Sequence, residues 1–271
     1  MGVLLSIIEN FMEAILEILK QIPKGVVAAI FLNGGLATLA YFIFWKKYKT
    51  RFRNWRIQLK ERADWKQIKS ELANSILVFI IGAFFSSVVT YLSTKGYTKI
   101  YTDFSAHSAW LGVGGFFMLL LIDDAWFYWM HRLLHHPKLF PLVHVVHHKS
   151  VDVNPFTSVS FHWVEAFVLT LWIFPVAFFI PVYAPVLGLI QVWGLLDNVK
   201  SHLGYELYPA GLNRSWLRFL TSSTHHNMHH SKFKGNYGVH FRFWDRLMKT
   251  EFKDYEAEYD KIQERKRLKD G

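Results

Sequence analysis

A chain of 271 residues with 52% apolar and 17% aromatic side chains is richer in both than an ordinary soluble domain. Its formal charge of +10 is concentrated rather than spread, and it contains no cysteine. Disulfides, thiolate-bound zinc and iron–sulfur clusters are therefore excluded, leaving imidazole and carboxylate as the strong metal ligands.

The opening stretch MGVLLSIIENFMEAILEILK lacks a basic start and a small-residue cleavage site, so it does not read as a signal peptide. Glu9, Glu13 and Glu17 recur every four residues beside an apolar face, which predicts an interfacial helix with a solvated carboxylate stripe. Three apolar stretches then reach the length of a membrane span, about 20 residues; they are 25–45, 72–92 and 109–130. Between the first two, KKYKTRFRNWRIQLKERADWKQIK (46–69) carries ten Lys and Arg against Glu61 and Asp64. Interleaved aromatics resemble a nucleic-acid patch, but flanking spans make this a cytoplasmic membrane loop, and no nucleic-acid partner is expected. Residues 164–196 are apolar but cut by Pro175, Pro181 and Pro185, which predicts a helical hairpin turning near 181–185.

The expected fold is all-α: a polytopic membrane protein with four to five membrane helices and a cytoplasmic helical cap. With 46–69 cytoplasmic, residues 93–108 lie outside and carry only Lys95 and Lys99. The third span and the hairpin then return to the cytoplasm, and every histidine cluster falls on that side.

Those clusters carry the chemistry. HVVHH supplies His144, His147 and His148, HNMHH supplies His226, His229 and His230, and HRLLH supplies His131 and His135. At this histidine content, chance predicts roughly 0.04 copies of His-x-x-His-His per chain, and two are present. On a helix the i, i+3 and i+4 positions share a face, so each cluster presents a comb of imidazoles. Eight imidazoles exceed the needs of one ion, and two metal ions are the natural count. No His-Glu-x-x-His is present, which argues against a zincin-like protease. No Glu-x-x-His is present either, which argues against carboxylate-bridged di-iron bundles. Imidazole suits iron, zinc, copper and nickel alike.

His202, in DNVKSHLGYE, is a ninth candidate ligand. Asn198, one turn earlier, either offers an amide oxygen or caps the helix. Ligand imidazoles hand their other nitrogen to an acceptor; Asp124, seven residues before His131, is the candidate for that ring, with Glu165 and Asp245 as further carboxylates. His107 and His240 read as lone, non-ligating histidines. Trp126, Trp163 and Trp193 are candidates to line a substrate tunnel or to sit at the membrane interface.

In order, DAWFYWMHRLLHH, HVVHH, SHLGYELYP, THHNMHH and NYG…WDRLMKT resemble the fatty acid hydroxylase/sterol desaturase superfamily over about residues 124–250, most closely its C-5 sterol desaturase branch. The resemblance implies a membrane-bound non-heme di-iron oxidoreductase that uses dioxygen on lipid C–H bonds. His131, His135, His144, His147, His148, His226, His229 and His230 match its histidine boxes, and His202 matches an additional histidine. His162 with Glu165 resembles a His-x-x-acid pair that follows the second box. Lys249 stands where the family often has glycine, which puts that turn in question. The implied organisation is an N-terminal part (1–105), a catalytic domain (106–252) and a charged tail (253–271). Two iron ions and dioxygen are the implied cofactors, and a membrane lipid is the substrate. Electrons must come from a separate cytochrome b5-like or ferredoxin-like protein, since no Gly-x-Gly-x-x-Gly fingerprint is present. Sterol desaturation leads; a fatty-acyl or other lipid hydroxylase is the alternative, with a metal transporter or a bis-histidine haem protein further off. Absence of a Lys-Asp-Glu-Leu signal points to a bacterial inner membrane before the endoplasmic reticulum.

Overall fold

The computed structural model describes residues 2–60 and 63–268. Met1, Glu61 and Arg62 of the basic stretch, and 269–271 of the tail lie outside the described residues.

The N-terminal helices are continuous. Helix α1 (Gly2–Ala29), a π-helical turn (Ile30–Gly34), α2 (Gly35–Tyr41) and a second π-helical turn (Phe42–Lys47) succeed one another without a break. The expected interfacial helix and first span are thus one apolar helical stretch, Leu4–Lys47, of 44 residues. At 1.5 Å per residue it is about 66 Å long, roughly twice the hydrocarbon thickness. Pro23 lies inside α1 without ending it, because α3 (Trp65–Thr94) packs antiparallel along it. Ala37 clusters with Ile68 near one end of the pair. Further along, Gly25 approaches Ala83 so closely that a Cβ on Gly25 would lie 2.9 Å from that of Ala83, a small-residue contact suited to membrane helices. Glu17 then pairs with Lys95 at the end of α3, at 3.8 Å, so the glutamate stripe is partly an ion-pair partner and the turns before it project beyond α3.

Helix α3 and α4 (Ala109–Leu134) are the other helices long and apolar enough to cross a membrane, making three among the described residues. A single turn, α5 (Val145–His148), comes next. The proline-cut hairpin is present but built from short pieces: α6 (Trp163–Thr170), α7 (Ile173–Phe179) and α8 (Ala184–Ser201). Its bend is fixed by a two-residue parallel pairing of β1 (Ile100–Tyr101) with β2 (Val182–Tyr183). None of these pieces is as long and apolar as the three long helices among the described residues.

The rest of the chain, α9 (Ser223–Lys232), α10 (Phe243–Leu247) and α11 (Tyr255–Arg267), gathers at the end of the bundle reached by His131 and His202. The charged tail is not free. Tyr255, Tyr259 and Ile262 recur at helical spacing and are buried, with both tyrosines packed on Leu212 and Met228. The basic stretch is likewise part of the packing: Arg56 stacks on Trp45 at 4.0 Å and pairs with Asp152 at 2.7 Å. Ile57 N–H donates to Gly204 O at 3.0 Å.

Lys249 adopts φ +57°. The turn that a glycine would make is therefore formed by a lysine, and an L-residue there costs roughly 1–2 kcal/mol. Lys249→Gly should raise the unfolding free energy by about 1 kcal/mol. Thermal unfolding in detergent checks this; a lower midpoint would show that the lysine side chain compensates for its backbone.

Candidate metal centre

Nine histidines converge in two groups. His131, His135, His144, His148 and His229 form one; His147, His202, His226 and His230 form the other; within each, one ring nitrogen per residue lies within 4.8 Å of all the others. The groups are neighbours, with the ring of His148 stacked on that of His230 at 4.7 Å. Helix positions dictate the split. In α9, His226 and His230 point to the second group while His229, on the flank, points to the first. In and before α5 the pattern is reversed: His144 and His148 join the first group and His147 the second. His131 and His135 come from the end of α4, and His202 caps α8.

Five of the nine Nδ1 atoms are tied to backbone carbonyls. His131 donates to Tyr237 O at 2.8 Å, His229 to Gly235 O at 2.7 Å, His147 to Ser160 O at 3.1 Å, His202 to Asn198 O at 2.9 Å and His230 to Ser150 O at 3.0 Å. His144 Nδ1 lies 2.8 Å from Glu165 Oε1. With Nδ1–H committed, Nε2 carries a lone pair. The Nε2 atoms converge: that of His131 is 3.0 Å from that of His144, and that of His226, whose Nδ1 has no hydrogen-bond partner among the described residues, is 2.9 Å from that of His202. His147 and His230 Nε2 each lie 3.3 Å from His202 Nε2.

Opposed lone pairs at this distance repel unless a cation sits between them. Metal–imidazole bonds of about 2.0–2.1 Å place ligand nitrogens at right angles about 3 Å apart, so the spacing is that of a coordination shell. Burial keeps the imidazoles neutral, as ligands must be. It lowers His135 to about 2 and His202 to about 4, and it holds His144, His147, His148, His226, His229 and His230 well below the ordinary histidine value. Burial also raises Glu165 well above the carboxylate range; a cation beside His144 is the natural counter-charge to keep it ionised. The residues present fit two metal ions.

Two acid-held loops supply most of those carbonyls. Glu71, buried near the start of α3, accepts from Ser150 Oγ, Asn154 Nδ2, Thr157 Oγ1 and Gln67 Nε2. It thereby fixes the 150–160 segment, whose Ser150 and Ser160 carbonyls orient the four-histidine group. On the other side Asp245 accepts from Tyr237 N and Gly238 N at 2.9 and 2.7 Å, fixing the loop that orients His131 and His229. A Cβ on Gly238 would lie 2.5 Å from Phe241 O and 3.0 Å from Asp245 Oδ2, so only glycine fits this approach.

Several sequence expectations change here. Asp124 does not hold His131; it accepts the backbone N–H groups of His240 and Phe241 at 3.2 and 3.0 Å, because the carbonyl of Tyr237 already occupies the ring. Asn198 gives its side-chain amide to Ser158 O at 2.7 Å, and acts on His202 through its backbone carbonyl. His162 caps α6 by accepting from Val164 N at 3.3 Å and belongs to neither group, so of that pair only Glu165 reaches a ligand ring. His107 is exposed and packs on Tyr101. Of the three tryptophans, Trp126 donates to Val168 O, and none lines the apolar cavity of about 950 Å³ bounded by Phe85, Trp172 and Leu187. Sequence reasoning missed Glu71, whose only signal was an acid at the edge of an apolar run. It also missed His225, which is fully buried inside HHNMHH with Nε2 3.7 Å from Asp245 Oδ2.

Against this geometry the comparisons are specific. The sequence pattern of the fatty acid hydroxylase family matches residues 116–250. A Delta(7)-sterol 5(6)-desaturase of Gibberella zeae is 27% identical over 215 residues, which is 76% of this chain and 59% of that one. Methylsterol monooxygenase 1 of Rattus norvegicus is 32% identical over 147 residues (52% and 47%), and lathosterol oxidase of the same species is 33% identical over 162 residues (58% and 52%). The chain spans about half the length of the curated relatives it matches. No solved structure gives a significant match. The chain carries a fatty acid hydroxylase domain and belongs to that family, with sterol-oxidising proteins among its relatives.

His240, read as a lone histidine, is the centre of a buried charge network. Its Nδ1 lies 2.8 Å from Asp197 Oδ2 and its Nε2 3.1 Å from Asp123 Oδ2, while Lys200 holds the other oxygen of Asp197. Burial opposes its charge, but bonds to both carboxylates outweigh that and raise it to about 10. A raised folded-state value means that the stabilisation is complete below the unfolded value, about 6.5, and is lost as pH rises towards 10. The thermal midpoint should therefore fall over that window, and His240→Gln should flatten the decline. An equal decline in the variant would assign it to other groups.

Proposed function

We propose that this chain is a membrane-bound oxidoreductase that holds one iron ion in each histidine group and uses dioxygen and an external electron donor to oxidise a lipid C–H bond. The observation that carries the reading is the set of nine neutral imidazoles, eight of them buried, whose ring nitrogens converge in two groups. Iron bound there would supply the redox equivalents and Lewis acidity by which dioxygen attacks an unactivated C–H bond. The chain itself fixes ring orientation through the carbonyls of Ser150, Ser160, Asn198, Gly235 and Tyr237, sets Glu165 against His144, and excludes water by burial.

The names of the relatives favour a sterol-like lipid as substrate and desaturation as the outcome. The methylsterol monooxygenase relative supports hydroxylation as a second reading. Both reactions begin with removal of one hydrogen and differ in the second step, loss of another hydrogen or return of a hydroxyl to the carbon. The donor is a separate protein of cytochrome b5 or ferredoxin type. The basic stretch packs against the histidine end, so the positive-inside rule puts both on the cytoplasmic side. Eukaryotic relatives favour the endoplasmic reticulum over a bacterial inner membrane. A transport site would sit near the bilayer midplane, whereas these groups lie at helix ends.

Metal content and product mass test the reading together. The purified chain should bind two irons and convert a sterol with loss of two hydrogens, or with gain of one oxygen if it hydroxylates. His147→Ala and His202→Ala should each lose one ion, and His229→Ala the other. Glu71→Ala should weaken only the four-histidine ion, by about 10–100-fold, and Asp245→Asn only the five-histidine ion. Retention of both ions and near-normal turnover in His147→Ala and His229→Ala would defeat the assignment.

A further inference from the structure

We propose that an acidic one-electron donor protein docks over a recess between the first turns of α3 and the 146–150 segment, and that electrons enter through the four-histidine group. This rests on the oxidoreductase reading above and adds the place and order of entry.

The recess has a volume of about 240 Å³, and its lining includes Lys66, Lys149, Ser150 and Ser160. The two serines are the residues whose carbonyls accept from His230 Nδ1 at 3.0 Å and His147 Nδ1 at 3.1 Å. From the recess wall to two imidazoles of the four-histidine group there is thus one carbonyl and one hydrogen bond. The carbonyls serving the other group, on Gly235 and Tyr237, belong to a different buried loop and take no part in this recess.

Charge says what fits over it. Lys66 and Lys149 are exposed, and among the described residues neither has an ion-pair partner. Asp64 and Glu71 also line the recess. Exposed Asp64 keeps its negative charge while accepting from Gln67 N at 2.8 Å, and Glu71 is buried beneath its four donors. The positive balance therefore comes from the adjoining 46–69 stretch, with ten Lys and Arg against Glu61 and Asp64. The basic 46–69 stretch, with Lys66 and Lys149 at the recess, on a chain of net charge +10 steers an acidic partner and sets its orientation. Each encounter moves one electron: the donor is oxidised by one and the chain's metal centre reduced by one, so two encounters supply a two-electron reaction.

The test uses the chain in phosphatidylcholine nanodiscs and the soluble haem domain of an acidic b5-type cytochrome. The double variant Lys66→Glu/Lys149→Glu should bind it about tenfold more weakly and lose most of the salt dependence. Lys234→Glu, an equal charge change beside the other loop, should bind as the parent does. Iron-loaded His229→Ala should still be reduced by the cytochrome; His202→Ala should be reduced by dithionite but slowly by the cytochrome. Unchanged affinity in the double variant, greater loss in Lys234→Glu, or equal reduction of the two histidine variants would overturn the proposal. Should no iron load at all, the oxidoreductase reading fails, while the affinity measurements still decide the docking site.

Discussion

An imidazole that gives its Nδ1–H to a fixed backbone carbonyl has one thing left to offer, the lone pair on Nε2. Five of the nine converging histidines make that commitment to a carbonyl, and His144 faces a carboxylate. The rest of the histidine end depends on it. Helix α9 is buried from Ser223 to His230 although its sequence is among the least hydrophobic in the chain. Polar groups so buried are tolerated only when paired, and convergent lone pairs are paired only by a cation. Binding of a metal ion there and formation of this cap would then be one free-energy event rather than two.

The spacing His-x-x-His-His is what lets short helices contribute imidazoles to two groups at once. With about 100° between successive residues, positions i and i+4 lie about 40° apart, while i+3 falls about 60° to the other side. One comb therefore has two faces, two teeth on one and one on the other. The combs are used in opposite senses, since His144 and His148 meet His229 whereas His226 and His230 meet His147. Each group thus takes two imidazoles from one comb and one from the other. His131 and His135 complete the larger group and His202 the smaller.

That logic was legible in the sequence because spacing on a helix fixes direction, and direction is all a ligand comb needs. His202 was legible from its place at the end of an apolar segment. The acceptors were not. Carbonyls at Ser150, Ser160, Gly235 and Tyr237 leave no trace in residue type, so side-chain reasoning sought a carboxylate for His131 and chose Asp124, which instead clamps the backbone at His240 and Phe241. Glu71 looked like the edge of a span because three of its four donors are 79–86 residues away in sequence. Among the helices, length and apolarity revealed the three long ones, but not that Leu4–Lys47 is unbroken; the interfacial helix and the span at 25–45 run together where Gly25 packs on Ala83.

Helix α8 links the polar end of the molecule to its apolar interior. Ala184, Leu187, Gly188 and Gln191 border the 950 Å³ cavity, and His202 closes the same helix. Eleven residues separate Gln191 from His202, about 16 Å along the axis. A molecule that both filled this cavity and presented a carbon to the histidine groups would have to be longer than that and largely apolar, since Phe85, Val89, Leu169, Trp172 and Leu187 are among its walls. Lysine and arginine are missing from those walls among the described residues, and Asp103 is the one charged side chain. A phosphate headgroup would find no counter-charge at that end. The cavity walls therefore suit an uncharged, apolar occupant, and α8 carries the chain from that cavity to the histidine groups.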